Sequence, residues 1–231
     1  MKLNRRAFSA TAVGSLLSGA GVSEGAQQEP QPEPVPKNCE EALARLMAGN
    51  RRFVSGESKH PHFGKDWRKR LAGGQKPFAT ILGCSDSRVP PELLFDQGFG
   101  DLFVIRIAGN IIDTDVTGSI EYGVDHLRTR LVVVMGHDGC GAVTAALQAD
   151  EDLKAEPNEI RSLVDKIKPA TKSVSTSLEF PVRLKQSVEA NVRASVKLLK
   201  AVPDLAKAEK AKAAKIIGCV YDIESGRVRT L

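Results

Sequence analysis

Residues 78–88 read F-A-T-I-L-G-C-S-D-S-R. Six residues that are almost wholly apolar end at a glycine, and the chain then turns abruptly to a thiol, a carboxylate and a guanidinium. A run this short, bounded by glycine, reads as a buried strand rather than a helix. The pattern recurs at 102–108 (L-F-V-I-R-I-A) and at 131–135 (L-V-V-V-M), the latter running straight into G-H-D-G-C-G at 136–141. None of the three alternates polar with apolar, as expected of strands covered on both faces. Helical patterns stand between them. Pro90 and Pro91 suit the first turn of P-E-L-L-F-D-Q, Ile120, Val124 and Leu127 recur on one helix face, and Ala142 to Gln148 resumes as helix. Strand and helix in alternation predict an α/β fold with a mostly parallel central sheet and flanking helices.

Working outward, Asn38 can cap a helix whose third residue is Glu41, close to a capping box. Leu43, Leu46, Met47, Phe53 and Val54 follow at helical spacing and predict an amphipathic N-terminal helical arm. A polar loop with His60 and His62 separates it from the first strand. In the second half, Ile160, Leu163, Val164 and Ile167 fit a helix that Pro169 should stop. A longer helix carries Val188, Val192, Val196 and Leu199. The run A-K-A-E-K-A-K-A-A-K (206–215) reads as a solvated helical face. Residues 216–223 and 227–231 flank E-S-G and predict an antiparallel hairpin at the C-terminal edge of the sheet.

The chain has 231 residues, with 33 Lys and Arg against 28 acidic residues and only 5% aromatics. No basic stripe interleaved with aromatics appears, which argues against nucleic-acid binding. No stretch reaches the roughly eighteen apolar residues of a membrane span. Four cysteines are too few and too scattered for a disulfide scaffold and point to metal binding or catalysis. At the start, M-K-L-N-R-R-A-F-S pairs Arg5 with Arg6 ahead of an acid-free stretch of small residues. Residues 1–26 resemble a twin-arginine export signal and predict a periplasmic or otherwise exported protein; the competing reading is an arm that stays attached. Residues 27–37 are a proline-rich linker, leaving 38–231 as the folded domain.

The chemistry gathers where strands end. Cys84 follows the first strand, with Asp86 and Arg88 spaced by two. His137 and Cys140 follow the third strand. Ligands in open α/β sheets bind at the carboxyl ends of strands. Two thiols and one imidazole delivered to one sheet edge make a plausible set for zinc, with a fourth position open for water or substrate. Any one of these residues alone reads more simply as a buried small side chain or a satisfied loop histidine. Gly136, Gly139 and Gly141 allow a tight loop around a metal. Asp138 adds a negative charge nearby.

C-S-D-S-R-V-P at 84–90, F-D-Q-G-F-G-D-L-F-V-I-R-I-A-G-N at 95–110, G-S-I-E-Y-G-V-D-H-L at 118–127 and G-H-D-G-C-G-A-V at 136–143 together resemble the β-class carbonic anhydrases. The resemblance extends over most of 38–231, including V-Y-D-I-E-S-G near the end. It implies an enzyme, a zinc lyase, in which Cys84, His137 and Cys140 hold one zinc per chain and Asp86 and Arg88 form a catalytic dyad. The implied reaction is reversible hydration of carbon dioxide to bicarbonate and a proton by attack of zinc-bound hydroxide. It also implies that Gln75 donates to substrate, that Phe103 and Tyr122 wall the pocket, and that the protein is a homodimer or a higher even oligomer. Within the family the aspartate either pairs with the arginine or swings in to close the metal. Two other functions compete: hydrolysis of carbonyl sulfide or carbon disulfide on the same scaffold, and a non-catalytic zinc-binding or thiol redox role. A storage or redox site has no use for the dyad.

Overall fold

The computed structural model describes residues 34–231. The export signal at 1–26 and the linker as far as residue 33 lie outside the described residues. In chain order the elements are α1 (Cys39–Ser55), α2 (Lys65–Leu71), β1 (Ala79–Gly83), α3 (Pro91–Leu94), β2 (Leu102–Arg106), α4 (Thr114–Asp125), β3 (Leu131–His137), α5 (Gly141–Ala146), α6 (Asn158–Thr171), α7 (Phe180–Lys200), α8 (Pro203–Lys210), β4 (Lys215–Tyr221) and β5 (Val228–Thr230). They form one five-stranded sheet in the order β2-β1-β3-β4-β5. The first three pairings are parallel and β4–β5 is antiparallel. The architecture is therefore the one the sequence predicts.

The apolar runs sit where their composition sends them. Every residue of β1 and β3 is buried, and Leu131 to Met135 are at most 1% exposed. Each of these large side chains contributes about 1.5–3 kcal/mol by leaving water. At α1, Asn38 Oδ1 accepts from the Glu41 N–H at 2.8 Å, and Glu41 reaches back to the Lys37 N–H at 2.7 Å. The reciprocal cap thus closes one residue earlier than the standard box. Leu46 of α1 is wholly buried within its own chain, with Leu43 and Phe53 packed partly against the same core.

Four local expectations shift. α6 runs through Pro169 instead of stopping there. The proline lies in the last turn opposite exposed Asp165, so one missing N–H and a carbonyl tilted toward water are tolerated. The P-E-L-L-F-D-Q helix is a single turn, ending where Asp96 takes φ 46°. The lysine-rich run is helical only to Lys210; a left-handed turn at Lys212 feeds β4. α2 falls in the stretch read as a polar loop. It buries no residue and so carries no apolar period, and is held by Trp67 Nε1 donating to the Phe99 carbonyl at 2.9 Å. No helix among the described residues is long and apolar enough to cross a membrane.

Candidate metal centre

β1 and β3 are parallel neighbours, with Gly83 opposite Met135 in the ladder. Cys84 is one residue beyond Gly83 and His137 two beyond Met135, so both come to the carboxyl-end edge of the sheet. His137 is still within β3, because the ladder to β4 continues through His137 opposite Tyr221. Two residues on, Gly139 takes φ 67° and turns the chain so that Cys140 caps the start of α5. Of the three loop glycines only Gly139 is needed for its backbone angle. Gly136 is needed for space, since a Cβ there would stand 2.6 Å from Val192 on α7, and nothing crowds Gly141.

The ligating atoms of Cys84, His137 and Cys140 lie within 4.8 Å of one another, the only such donor cluster among the described residues. All three residues are buried, at 5%, 1% and 1% exposure. His137 Nδ1 lies 3.0 Å from the Asp138 carbonyl oxygen, which can only accept, so Nδ1 carries the proton. Nε2 is then a bare lone pair, and it is buried with no hydrogen-bond partner. A buried acceptor left unpaired is costly; facing two thiols, it fits a metal that completes it. Cys84 is driven well below its usual range by the hydrogen bond from Cys140, against the opposing effect of burial, with help from the Gly109 N–H. Cys140 is driven well above its usual range by the bond it gives Cys84 and by burial. Cys39 and Cys219 stand outside the cluster; burial pushes the Cys219 thiol up to about 12.

Asp86 is clamped by Arg88. The guanidinium donates from Nε to Oδ1 at 2.9 Å and from its terminal nitrogen to Oδ2 at 2.7 Å, and the Arg88 backbone N–H adds a bond to Oδ1 at 3.0 Å. These bonds, the side-chain pair foremost, hold the carboxyl far below the usual carboxylate range. Oδ2 also lies 3.9 Å from His137 Nε2. The carboxylate thus borders the cluster and is turned to its arginine.

Three residues that the motifs do not single out shape this corner. Arg106 donates from Nε to the Cys84 carbonyl at 3.0 Å and from a terminal nitrogen to the Asp86 carbonyl. Its signal was a lone charge inside the apolar run L-F-V-I-R-I-A. Gly109 donates its N–H to Cys84 Sγ at 3.3 Å, and Asn191 donates to the Gly109 carbonyl at 2.8 Å. Gln75, Phe103 and Tyr122 are not brought to the cluster within one chain. Gln75 precedes β1 and is exposed, and Phe103 pairs with Thr80 near the amino end of that strand, whereas Cys84 lies past its carboxyl end. The Phe103 and Tyr122 rings are 6.0 Å apart.

Residues 79–228 match the family model described as "Carbonic anhydrase". The chain belongs to the β-class carbonic anhydrases. Carbonic anhydrase 2 of Mycobacterium tuberculosis is 42% identical over 187 residues, 80% of this chain and 89% of that protein. Among solved structures, the β-carbonic anhydrase CcaA superposes with a TM-score of 0.68 at 28% identity, over 81% of this chain and 86% of that one. A tetrameric β-carbonic anhydrase from Sordaria macrospora superposes with a TM-score of 0.66 at 27% identity, over 82% and 96%. β-Carbonic anhydrases use zinc, and the buried Cys–His–Cys cluster supplies a matching donor set.

Proposed function

We propose that this protein catalyses the reversible hydration of carbon dioxide to bicarbonate and a proton, with one zinc held by Cys84, His137 and Cys140 in each chain. The observation that carries the reading is a buried three-donor cluster, with His137 Nε2 unpartnered, beside an arginine-clamped carboxylate. Zinc bound there supplies a Lewis acid that makes water a nucleophile near neutral pH. Asp86, bordering the cluster, would accept a hydrogen bond from a water at the site and orient it toward the carbon of carbon dioxide. Arg88 keeps Asp86 ionised and turned out of the cluster, leaving the three donors to the metal. A carboxylate so firmly held is a poor proton store, so its role is orientation. Stopped-flow hydration of dissolved carbon dioxide by zinc-loaded protein tests the assignment. Turnover no faster than buffer, or hydrolysis of carbonyl sulfide in its place, overturns it.

The pocket and the assembly form one proposal. Gln75, Phe103 and Tyr122 lie toward the opposite end of β1 from the cluster, so they serve a metal site only from a second copy. The outer edge of β2 supports this. Among the described residues that strand has no neighbour on one side, Leu102 to Ile105 are only half-buried, and Phe99 and Tyr122 stand 49% and 46% exposed. We read the active form as a homodimer or a higher even assembly. Tyr122→Asp, measured by light scattering and turnover together, should yield smaller particles with lower activity. Residues 1–26 as a twin-arginine signal complete the proposal, and Arg5→Lys with Arg6→Lys should strand active enzyme in the cytoplasm.

A further inference from the structure

A glycine N–H aimed at a ligating sulfur raises the question of what aims it, because glycine is the residue least able to fix its own backbone. Gly109 sits in a short 3-10 turn after β2, with φ 68°, packed so closely that a Cβ would stand 2.5 Å from Ile167 Cδ1. Its neighbour Asn110 also takes a positive φ, 44°, a region asparagine tolerates better than most side-chain-bearing residues. Two restraints come from α7. Asn191 Nδ2 donates to the Gly109 carbonyl at 2.8 Å, and Ser195 Oγ, one turn along the helix, donates to the Asn110 carbonyl at 3.3 Å. Both residues are 3% exposed, on a helix face they share with buried Ser187, Val188, Val192 and Leu199. Unlike Ser187, whose hydroxyl has no partner in the protein, both spend their polar groups on this turn. With the carbonyls of Gly109 and Asn110 both anchored, the turn that carries the Gly109 N–H is held against Cys84 Sγ.

We infer that Asn191, backed by Ser195, is a positioning residue of the metal centre. Through the Gly109 N–H it holds the Cys84 sulfur oriented toward the cluster, which favours metal binding, and lowers the energy of the sulfur lone pairs, which a thiolate-to-metal charge-transfer band reads. The inference rests on the reading that Cys84, His137 and Cys140 bind a metal. Partners behind a ligating group tune it through hydrogen bonds, and losing one typically weakens metal binding by about 10–100-fold. Asn191 touches none of the three ligands and enters the metal's surroundings only through a backbone amide.

The test uses the full chain loaded with Co(II), whose thiolate-to-metal charge-transfer bands report on sulfur, together with zinc affinity from chelator competition. Asn191→Ala should move the charge-transfer band to longer wavelength and weaken zinc binding by about tenfold or more. Leu199→Ala, a cavity farther along the same helix, should lower the melting midpoint while leaving both readouts at wild-type values. Ser195→Ala, which removes the longer bond, should shift the band the same way by less; it also serves if Asn191→Ala does not fold. Unchanged spectrum and affinity in folded Asn191→Ala, or equal changes in Leu199→Ala, overturn the inference and leave the metal reading intact. Wild-type protein that takes up no cobalt overturns both.

Discussion

Zinc removal should cost this fold measurable stability, because the cluster is part of its interior. His137 Nε2 is buried with no hydrogen-bond partner in the protein, close to Cys84 and Cys140 at 5% and 1% exposure. An ion that binds only the folded chain adds RT ln(1 + [L]/Kd), about 2.7 kcal/mol at a free zinc concentration one hundred times Kd. For a chain of 231 residues, each kcal/mol moves the melting midpoint by about 2–4 °C. Chelator-stripped protein should therefore melt roughly 5–11 °C below the same protein at that zinc level. The unfolded chain exposes Cys39 and Cys219 as well, and their zinc binding trims the shift. Cys140→Ser controls for this, since it keeps those two thiols and breaks the cluster. Thermal melts of both proteins across a zinc titration provide the assay. A wild-type midpoint that does not move, or one that rises no more than that of Cys140→Ser, refutes the account of His137 Nε2 as a metal-facing donor.

Arg88→Ala leaves Asp86 only its backbone hydrogen bond, so carbon dioxide hydration should fall on the order of a hundredfold with zinc content unchanged; turnover at the wild-type level would remove the pair from the mechanism. Because Arg88 holds Asp86 far below its usual range, the carboxylate should stay ionised from about pH 5 to 9, and Asp86→Asn should lower activity evenly across that window. Asp96 is buried, which alone would raise its carboxyl, but the Lys59 N–H, the Arg52 guanidinium and the His60 N–H outweigh burial and hold it below its usual value. Asp96→Asn should cost about 3 kcal/mol. A depressed folded value contributes stability above the unfolded value and loses it as pH falls through the folded one. The gap in urea unfolding between wild type and mutant should therefore be constant down to about pH 5 and close below about pH 4; a gap that widens in acid would refute the sign. Asn50 donates to the Leu94 and Gly226 carbonyls and accepts from the Val228 N–H, tying α1 to α3 and to the terminal hairpin. Asn50→Ala should cost about 3 kcal/mol in chemical denaturation, and a loss under about 1 kcal/mol would deny that these bonds hold the three elements together.

What was legible in the sequence is what is local. The apolar runs that became β1 and β3 are each covered on both faces, so their composition alone marks them. Cys84, His137 and Cys140 lie within three residues of those strand ends, so strand polarity delivers them to one edge. β3 nonetheless ends later than its apolar run, because Gly136 and His137 are held by ladder bonds to β4 that side-chain composition does not announce. Pro169 misled for the converse reason: a proline's cost depends on how much helix remains after it, and only two residues do.

The parts that escaped are those for which chain distance and spatial distance disagree. The Gly109 N–H meets Cys84 Sγ across 25 residues, and Asn191 meets Gly109 across 82. A backbone N–H has no side chain to advertise it. The only trace left in the sequence is the glycine that a φ of 68° favours, flanked by an asparagine tolerant of the same region. Strand direction settles a further point that residue type cannot. Gln75 and Phe103 belong near the amino end of β1 and the metal ligands beyond its carboxyl end, a separation of about 3.3 Å for each strand residue between them. A motif records that a residue occurs in the chain and is silent on whose site it serves. The geometry brings the three ligands and the Asp86–Arg88 pair together within one chain and leaves Gln75 and Phe103 toward the other end of β1, which is the observation behind the proposed second copy.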